Sequence, residues 1–262
     1  MKKKILITGI NSYVGNSFDG SYNGIFDITK ISLKDDCWKS MDFSQYASIL
    51  HVAGIAHTSK DISQKDKYYT VNTEVTSEVA KKAKSDGVKQ FVFLSSIIVY
   101  GDSAPISVDK MVSKDICPSP DDFYGDSKLQ AEYKLNEIAD ESFNVAIIRP
   151  PMVYGECSKG NYSKLVKLAR YAFIFPDIEN NRSVISIDNL SKNISEIILE
   201  KKHELFLLQD REYFCTSQFI RSYRSSLGKK TYLTKVFNPV IKLVAKKVVF
   251  VNKVFGNFCY EK

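Results

Sequence analysis

Lys3-Lys4-Ile5-Leu6-Ile7-Thr8-Gly9-Ile10-Asn11-Ser12-Tyr13-Val14-Gly15 is the segment that decides the fold. Its first half is a short apolar run and reads as a buried strand over 3–8. Gly9 closes that run, and Ser12-Tyr13-Val14-Gly15 can open a helix. Such a turn must let backbone N–H groups approach an anion such as a pyrophosphate, and small residues permit it. Gly9 takes the tight turn and Gly15 allows close helix–strand packing, while Ser12 stands where a middle glycine is usual. A plain strand–helix connection reads the same way, so the turn needs its context.

Outward from this turn the chain alternates. Apolar runs at 26–33, 49–53, 91–95 and 145–148 read as strands. Helical spacing covers about 66–85, where Val71, Val75, Val79 and Ala83 recur every fourth residue. Lys81, Lys82 and Lys84 suit the C-terminal end of that helix, and Gly87 supplies a stop. Residues 101–121, with Pro105, Pro118 and Pro120, read as a long loop, and 122–140 as a helix. Strand–helix alternation predicts a parallel sheet with helices on both faces. After Pro151 the rhythm loosens, with helices at 161–173, 188–201 and 216–227 (Thr216 as N-cap) and strands at 184–187 and 205–209. The expected class is α/β, with a dinucleotide-binding domain over 1–152. Residues 153–262 form a smaller substrate lobe, some of whose segments return to the core.

Composition narrows the classes. The chain has 262 residues, 44% hydrophobic and 26% charged, which is ordinary for a soluble globular protein with a substantial core. Cys37, Cys117, Cys157, Cys215 and Cys259 form no CxxC pair and read as free thiols in a reducing cytoplasm. His51, His57 and His203 lack metal-like spacing, so no metal is expected. The basic start at Met1–Lys4 is followed by too short an apolar run for a signal peptide, and no stretch reaches the roughly 18 apolar residues of a membrane span. The formal charge of +7 implies modest attraction to anionic surfaces or substrates, and no nucleic-acid signature accompanies it.

Tyr124-Gly125-Asp126-Ser127-Lys128 carries the chemistry. A spacing of four puts Tyr124 and Lys128 on one helix face. An ammonium beside a phenol would lower the tyrosine pKa from about 10 toward neutrality and make a general acid/base. An exposed helix face gives the same spacing, so the strings on either side matter. Upstream is Phe91-Val92-Phe93-Leu94-Ser95-Ser96-Ile97-Ile98-Val99-Tyr100-Gly101. Downstream is Ile147-Ile148-Arg149-Pro150-Pro151-Met152-Val153-Tyr154-Gly155. With the glycine turn, YGDSK and both strings in order, residues 3–210 resemble the extended short-chain dehydrogenases. That group includes the NAD-dependent epimerase/dehydratase family of nucleotide-sugar enzymes.

The resemblance implies a Rossmann-type doubly wound sheet and a set of roles. Ser96 resembles the catalytic serine that hydrogen-bonds the reacting sugar oxygen, and Ser95 a structural neighbour. Tyr124 resembles the acid/base. Lys128 resembles its partner, which also holds the nicotinamide ribose. Gly9, Asn11, Ser12, Tyr13, Val14 and Gly15 correspond to the pyrophosphate turn, Ala53 and Gly54 to the strand end passing the cofactor, and Pro151 to the approach to the nicotinamide. Asp42 resembles the acid that contacts adenine, with a turn aspartate as the alternative. His51 and His57 become scaffold, and Asn72 a helix asparagine supporting the site. Asn161, near Lys159, and Arg182 resemble residues that meet the sugar-nucleotide phosphates; for Lys159 and Arg182 the alternative is a solvated charge.

The family performs epimerisation, dehydration and reduction. The second strand tip, Ile31-Ser32-Leu33-Lys34-Asp35-Asp36, puts Ser32 and Lys34 where an NAD enzyme usually has an acid. That favours NADP(H), and with it reduction; Asp35 as the acid would favour NAD. No Asp-Glu pair follows Ser96, which counts against dehydration. HVAGIAH (51–57), FLSSIIVYG (93–101) and KGNY (159–162) resemble a bacterial polysaccharide subgroup of 4-epimerases and 4-keto-6-deoxy amino sugar reductases. The expected partner is a UDP-linked sugar, with a lipid-diphosphate carrier as the alternative, and the family commonly forms homodimers. The expected place is the cytoplasm. Residues 237–258 are apolar and basic without an acid. They read as a lid or packed tail, or alternatively as an interfacial helix at the inner face of the membrane.

Overall fold

The computed structural model describes residues 2–56, 61–158 and 160–262. The chain divides into two compact units. The first comprises residues up to Gly101 together with Cys117–Pro151 and Ser186–Leu208; the second holds Asp102–Ile116, Met152–Ile185 and Gln209–Lys262. The chain therefore crosses between units several times, and Ser186–Leu208 lies with the first unit.

In the first unit the elements are β1 (Lys3–Thr8), α1 (Tyr13–Tyr22), β2 (Phe26–Ile31), β3 (Ser48–His51), α2 (Val75–Ser85), β4 (Gln90–Leu94), α3 (Phe123–Ile138), β5 (Asn144–Ile148), α4 (Ile187–Glu200) and β6 (Leu205–Phe206). The six strands form one parallel sheet in the order β6-β5-β4-β3-β1-β2. Ile5, Leu6 and Ile7 are fully buried, which explains why β1 reads as a continuous apolar run and not an alternating one: both faces of the sheet are covered. Leu6, Ile49, Phe91 and Phe143 pack with Val79, Ala80 and Ala83 of α2 in the main core. The chain leaves β1 to one side for β2 and returns to the other side for β3. The β1/β3 crevice is thus the topological switch point, where open α/β sheets bind ligands.

Several boundaries differ from the sequence reading. β2 stops at Ile31, whose carbonyl accepts the Gly9 N–H at 2.9 Å as the chain turns away. The helix expected near 66–85 comprises an α-turn (Lys65–Tyr68), a π-helical segment (Tyr69–Glu74) and α2. Thr216 is not an N-cap. Cys215 holds that place for the helix Thr216–Ser226, and the Thr216 hydroxyl donates to the Val254 carbonyl at 2.6 Å. The second unit has its own core, built on Ala169, Phe175, Ile178, Ile220 and Phe255. Short parallel pairs join Ile174–Pro176 to Tyr232–Thr234, and Met111–Val112 to Cys259–Tyr260.

Candidate active site

The glycine turn behaves as its residues dictate. Gly9 has φ +96°, and a Cβ there would lie 3.0 Å from the Ala53 Cα. A Cβ on Gly15 would lie 3.0 Å from Ile7 Cγ2 and 3.1 Å from Val52 Cγ2, so this glycine lets α1 sit on the strands. Ser12 caps α1, its hydroxyl accepting the Gly15 N–H at 3.3 Å. Val14 is buried behind the turn and Asn11 is exposed beside it. Gly9 and Ala53 therefore form a cradle with no room for side chains at the mouth of the β1/β3 crevice, next to a helix N-terminus that suits a phosphate.

At the tip of β2 the Ser32 hydroxyl accepts the Lys34 N–H at 3.2 Å. Asp35 caps the short helical turn Asp36–Ser40 by accepting the Cys37 N–H at 3.1 Å. Asp42 holds Ser44 through both carboxylate oxygens, at 2.8 Å to the N–H and 2.9 Å to the hydroxyl. The Ser44 N–H and then its hydroxyl hold this carboxyl below its usual range. That is the geometry of a turn aspartate.

The second half of the site rests on α3. Asp122 caps it, accepting the Gly125 N–H at 2.8 Å. Gly125 lies where a Cβ would be 2.8 Å from the Ile98 carbonyl oxygen and 2.9 Å from Pro120 Cβ. The close approach brings the segment after β4 against α3, and the Ser96 hydroxyl hydrogen-bonds the Tyr124 phenol. Lys128 is buried. Its Nζ donates to the Leu94 carbonyl at 2.9 Å and lies 4.6 Å from the centre of the Phe93 ring. A Cβ on Gly54 would lie 3.1 Å from that Nζ, so the β3 exit, Lys128 and the Ser96–Tyr124 pair belong to one place.

The electrostatics correct one expectation. Tyr124 is pushed up to about 12, chiefly by burial, against the opposing hydrogen bond from Ser96. Burial lowers Lys128 to about 8, while Glu132 raises it. The phenol is thus not drawn toward neutrality: the ammonium is directed at the Leu94 carbonyl, and low-dielectric surroundings dominate. Tyr124 holds its proton at neutral pH.

A buried polar chain ties the glycine turn to α3. The His51 Nδ1 meets the Thr8 hydroxyl at 2.9 Å, and its Nε2 meets the Thr76 hydroxyl at 3.0 Å. Thr76 already donates to the Asn72 carbonyl at 2.8 Å, so it accepts from His51, which fixes the Nε2–H tautomer. Burial first, and then Lys128, depress His51 to about 3, which keeps the ring neutral. Asn72, within the π segment, accepts the Ile55 N–H at 2.8 Å. It donates to the Ile55 carbonyl at 3.1 Å and to the Ser127 hydroxyl at 3.0 Å. Ser127 in turn donates to the Tyr124 carbonyl at 2.9 Å.

Sequence reasoning missed Glu132. It is 2% exposed and meets the Arg149 Nε at 3.1 and 3.2 Å; it also bonds the Arg149 Nη2 and the Ser95 hydroxyl. Arg149 donates further to the Tyr100 hydroxyl. The signal was available: Glu132 follows Lys128 by four residues, on the face that carries Tyr124. Ser95 and Arg149 are thereby committed to structure. Pro150, beside Pro151, accepts the Ile97 N–H at 3.0 Å through its carbonyl, holding the strand exit against the Ser96 segment.

Asn161 and Arg182 lie in the second unit. Asn161 is exposed and begins the helix Asn161–Tyr171. The Arg182 guanidinium donates to the Lys253 carbonyl at 2.8 Å and is lowered to about 10 by burial. The same unit has a cavity of about 270 Å³ lined by Tyr154, Tyr162, Asp210, Glu212, Phe214 and Phe219, in which the Tyr154 hydroxyl donates to Asp210 at 2.7 Å. His57 and Lys159 fall outside the described residues.

Known proteins with this pattern agree. Residues 19–174 match the NAD dependent epimerase/dehydratase family. A UDP-glucose 4-epimerase of Vibrio cholerae is 32% identical over 94% of this chain and 82% of its own length. An N-acetyl-alpha-D-glucosaminyl-diphospho-ditrans,octacis-undecaprenol 4-epimerase of Escherichia coli O157:H7 is 30% identical over 65% of the chain, about half (52%) of that relative. Among solved structures, a UDP-glucuronic acid 4-epimerase from Bacillus cereus in complex with NAD has a TM-score of 0.72. It is 21% identical, with 88% of this chain and 87% of that one covered. A dTDP-4-dehydrorhamnose reductase from Bacillus anthracis in complex with NADP has a TM-score of 0.70 at 18% identity, covering 91% and 86%. These two structures share the fold. The chain belongs to the NAD-dependent epimerase/dehydratase family, within the extended short-chain dehydrogenases, nicotinamide-dependent enzymes of nucleotide sugars.

Proposed function

We propose that the protein reduces the C4 ketone of a UDP-linked 4-keto-6-deoxy-N-acetylhexosamine with NADPH, as a step in making a bacterial surface polysaccharide. One observation carries this reading: the Ser96 hydroxyl hydrogen-bonds the buried Tyr124 phenol, and burial raises the phenol's pKa, so the pair presents a protonated donor to a ketone oxygen. The Gly9–Ala53 cradle, which a Cβ would fill, fits a dinucleotide pyrophosphate. Ser32 and Lys34 at the β2 tip suit a ribose 2′-phosphate. Bound there, the nicotinamide cofactor supplies the hydride. Tyr124 gives its proton to the oxygen developing at C4, and Ser96 hydrogen-bonds that oxygen as charge builds on it. Lys128 holds the ribose. Arg182 and Asn161 serve the diphosphate of the substrate.

A second reading, NAD-dependent 4-epimerisation of a UDP-sugar, is favoured by the Vibrio cholerae and Escherichia coli relatives, both 4-epimerases. There the same residues run the proton transfer in both directions, and a lipid-diphosphate carrier is the alternative to UDP. Nicotinamide absorbance separates the two. Purified protein mixed with a UDP-4-keto-6-deoxy-N-acetylhexosamine and NADPH should oxidise the cofactor stoichiometrically, and Tyr124→Phe should abolish this. Interconversion of UDP-N-acetylhexosamines without net cofactor turnover would replace reduction by epimerisation.

A further inference from the structure

The second unit carries an apolar face that its own core does not cover. Helix Asn238–Ala245 packs inward through Ile241 and the buried Ala245. Val240, Leu243 and Val244 recur at i, i+3 and i+4 and so share another side of the helix. That side is open: Val240 is 62% and Leu243 66% exposed. Val236 (77%) precedes the helix and Phe250 (66%) follows it, both in solvent. A helix that leaves this much apolar surface in solvent demands cover from something.

Charge identifies the cover. Lys235, Lys242, Lys246 and Lys247 are exposed along this stretch, and no acidic residue stands between Glu212 and Glu261. Asp177, whose carbonyl accepts Asn238 Nδ2 at 2.8 Å, lies at the first turn, at the far end of the helix from Lys246 and Lys247. Two copies of this face would bring lysines against lysines, which disfavours self-association. A negatively charged surface that is apolar underneath satisfies both features. Among the described residues no helix is long and apolar enough to cross a membrane, so the contact is superficial.

We propose that this face, centred on Val240, Leu243 and Val244, seats the second unit on an anionic lipid bilayer. The inference is independent of the reaction at Tyr124, and its test contains no sugar.

The full chain is co-sedimented with vesicles of equimolar phosphatidylglycerol and phosphatidylcholine, and with phosphatidylcholine alone. It should pellet with the anionic vesicles only, and less so at about 0.5 M salt, where the Debye length is a few ångströms. Lys242→Gln and Lys246→Gln should each lower the partition roughly fivefold. Leu243→Asp and Phe250→Asp should abolish binding with the melting temperature unchanged, because both side chains are already in solvent. Failure to pellet, or pelleting that Leu243→Asp and Phe250→Asp leave intact, would overturn the proposal. So would a dimer in sedimentation velocity that Leu243→Asp dissociates without any vesicle binding, since the face would then belong to a second copy.

Discussion

Glu132, on α3, grips Arg149, with its carboxylate on the Arg149 Nε at 3.1 and 3.2 Å and both residues almost wholly buried. Removing one partner strands the other charge in low dielectric. Glu132→Ala should therefore cost about 3–5 kcal/mol of stability, read from urea unfolding. Glu132→Gln tests a second consequence. Glu132 raises Lys128, which burial otherwise lowers to about 8. The alkaline limb of the pH–rate profile that reports Lys128 should move to lower pH in Glu132→Gln.

His51 should set an acid limit on stability. Its ring is neutral in the fold, depressed to about 3, whereas the unfolded chain protonates it near its ordinary 6.5. Between those values the unfolded state binds the extra proton, so stability falls as pH drops from about 6.5 toward about 3. The full loss is of the order of 5 kcal/mol. His51→Asn should start less stable at pH 7, having lost part of the Thr8–Thr76 bridge, yet show a flatter decline in denaturant midpoints measured from pH 7 to pH 4.

Tyr124→Phe keeps the ring and loses the proton. Turnover should fall by about 10²–10⁴, with nicotinamide affinity by fluorescence quenching unchanged. Ser96→Ala should lower kcat more than it raises KM, since its hydroxyl acts on charge that develops only in the transition state.

Gly125 and Gly20 are both helical glycines, and Ala should act on them with opposite signs. A Cβ at Gly20 meets nothing within 4 Å, so Gly20→Ala should stabilise by about 0.5–1 kcal/mol. At Gly125 the same gain is opposed by a 2.8 Å approach to the Ile98 carbonyl. There the net effect should be a loss of about 1–3 kcal/mol, with reduced turnover, because the shift separates Ser96 from Tyr124. Thermal melts and steady-state rates on both variants decide it.

Ser32→Asp should move cofactor preference from NADPH toward NADH by raising KM for the phosphorylated form. An acid at this tip suits the ribose hydroxyls and repels a 2′-phosphate. Equal KM ratios in wild type and variant would remove Ser32 from the cofactor site.

The sheet was legible because strands covered on both faces must be continuous apolar runs, as Ile5–Ile7 and Phe91–Phe93 are. Tyr124 and Lys128 were legible as types at a helical spacing, and Ser96 through the family resemblance. Their proton chemistry was not, since it depends on where the Lys128 ammonium turns, and the Leu94 carbonyl that takes it lies 34 residues away. Glu132 carries no motif of its own, and its partner Arg149 lies 17 residues further along the chain. The place of Asp102–Ile116 in the second unit was not legible, because Met111–Val112 pairs with Cys259–Tyr260 at the far end of the chain, a partnership that no local pattern announces.

The π-helical turn Tyr69–Glu74 makes chain length itself a constraint at this point. It accommodates one residue more than an α-helix would over the same path. At its first residue, Tyr69 is held by Asp126; beyond it, Val79 and Ala83 are locked into the core. Deleting a single residue such as Thr70 would restore an uninterrupted helix but swing one of these two anchors out of phase by about 100°. The number of residues in this turn is thus as fixed as the Asn72 side chain that bridges Ile55 and Ser127.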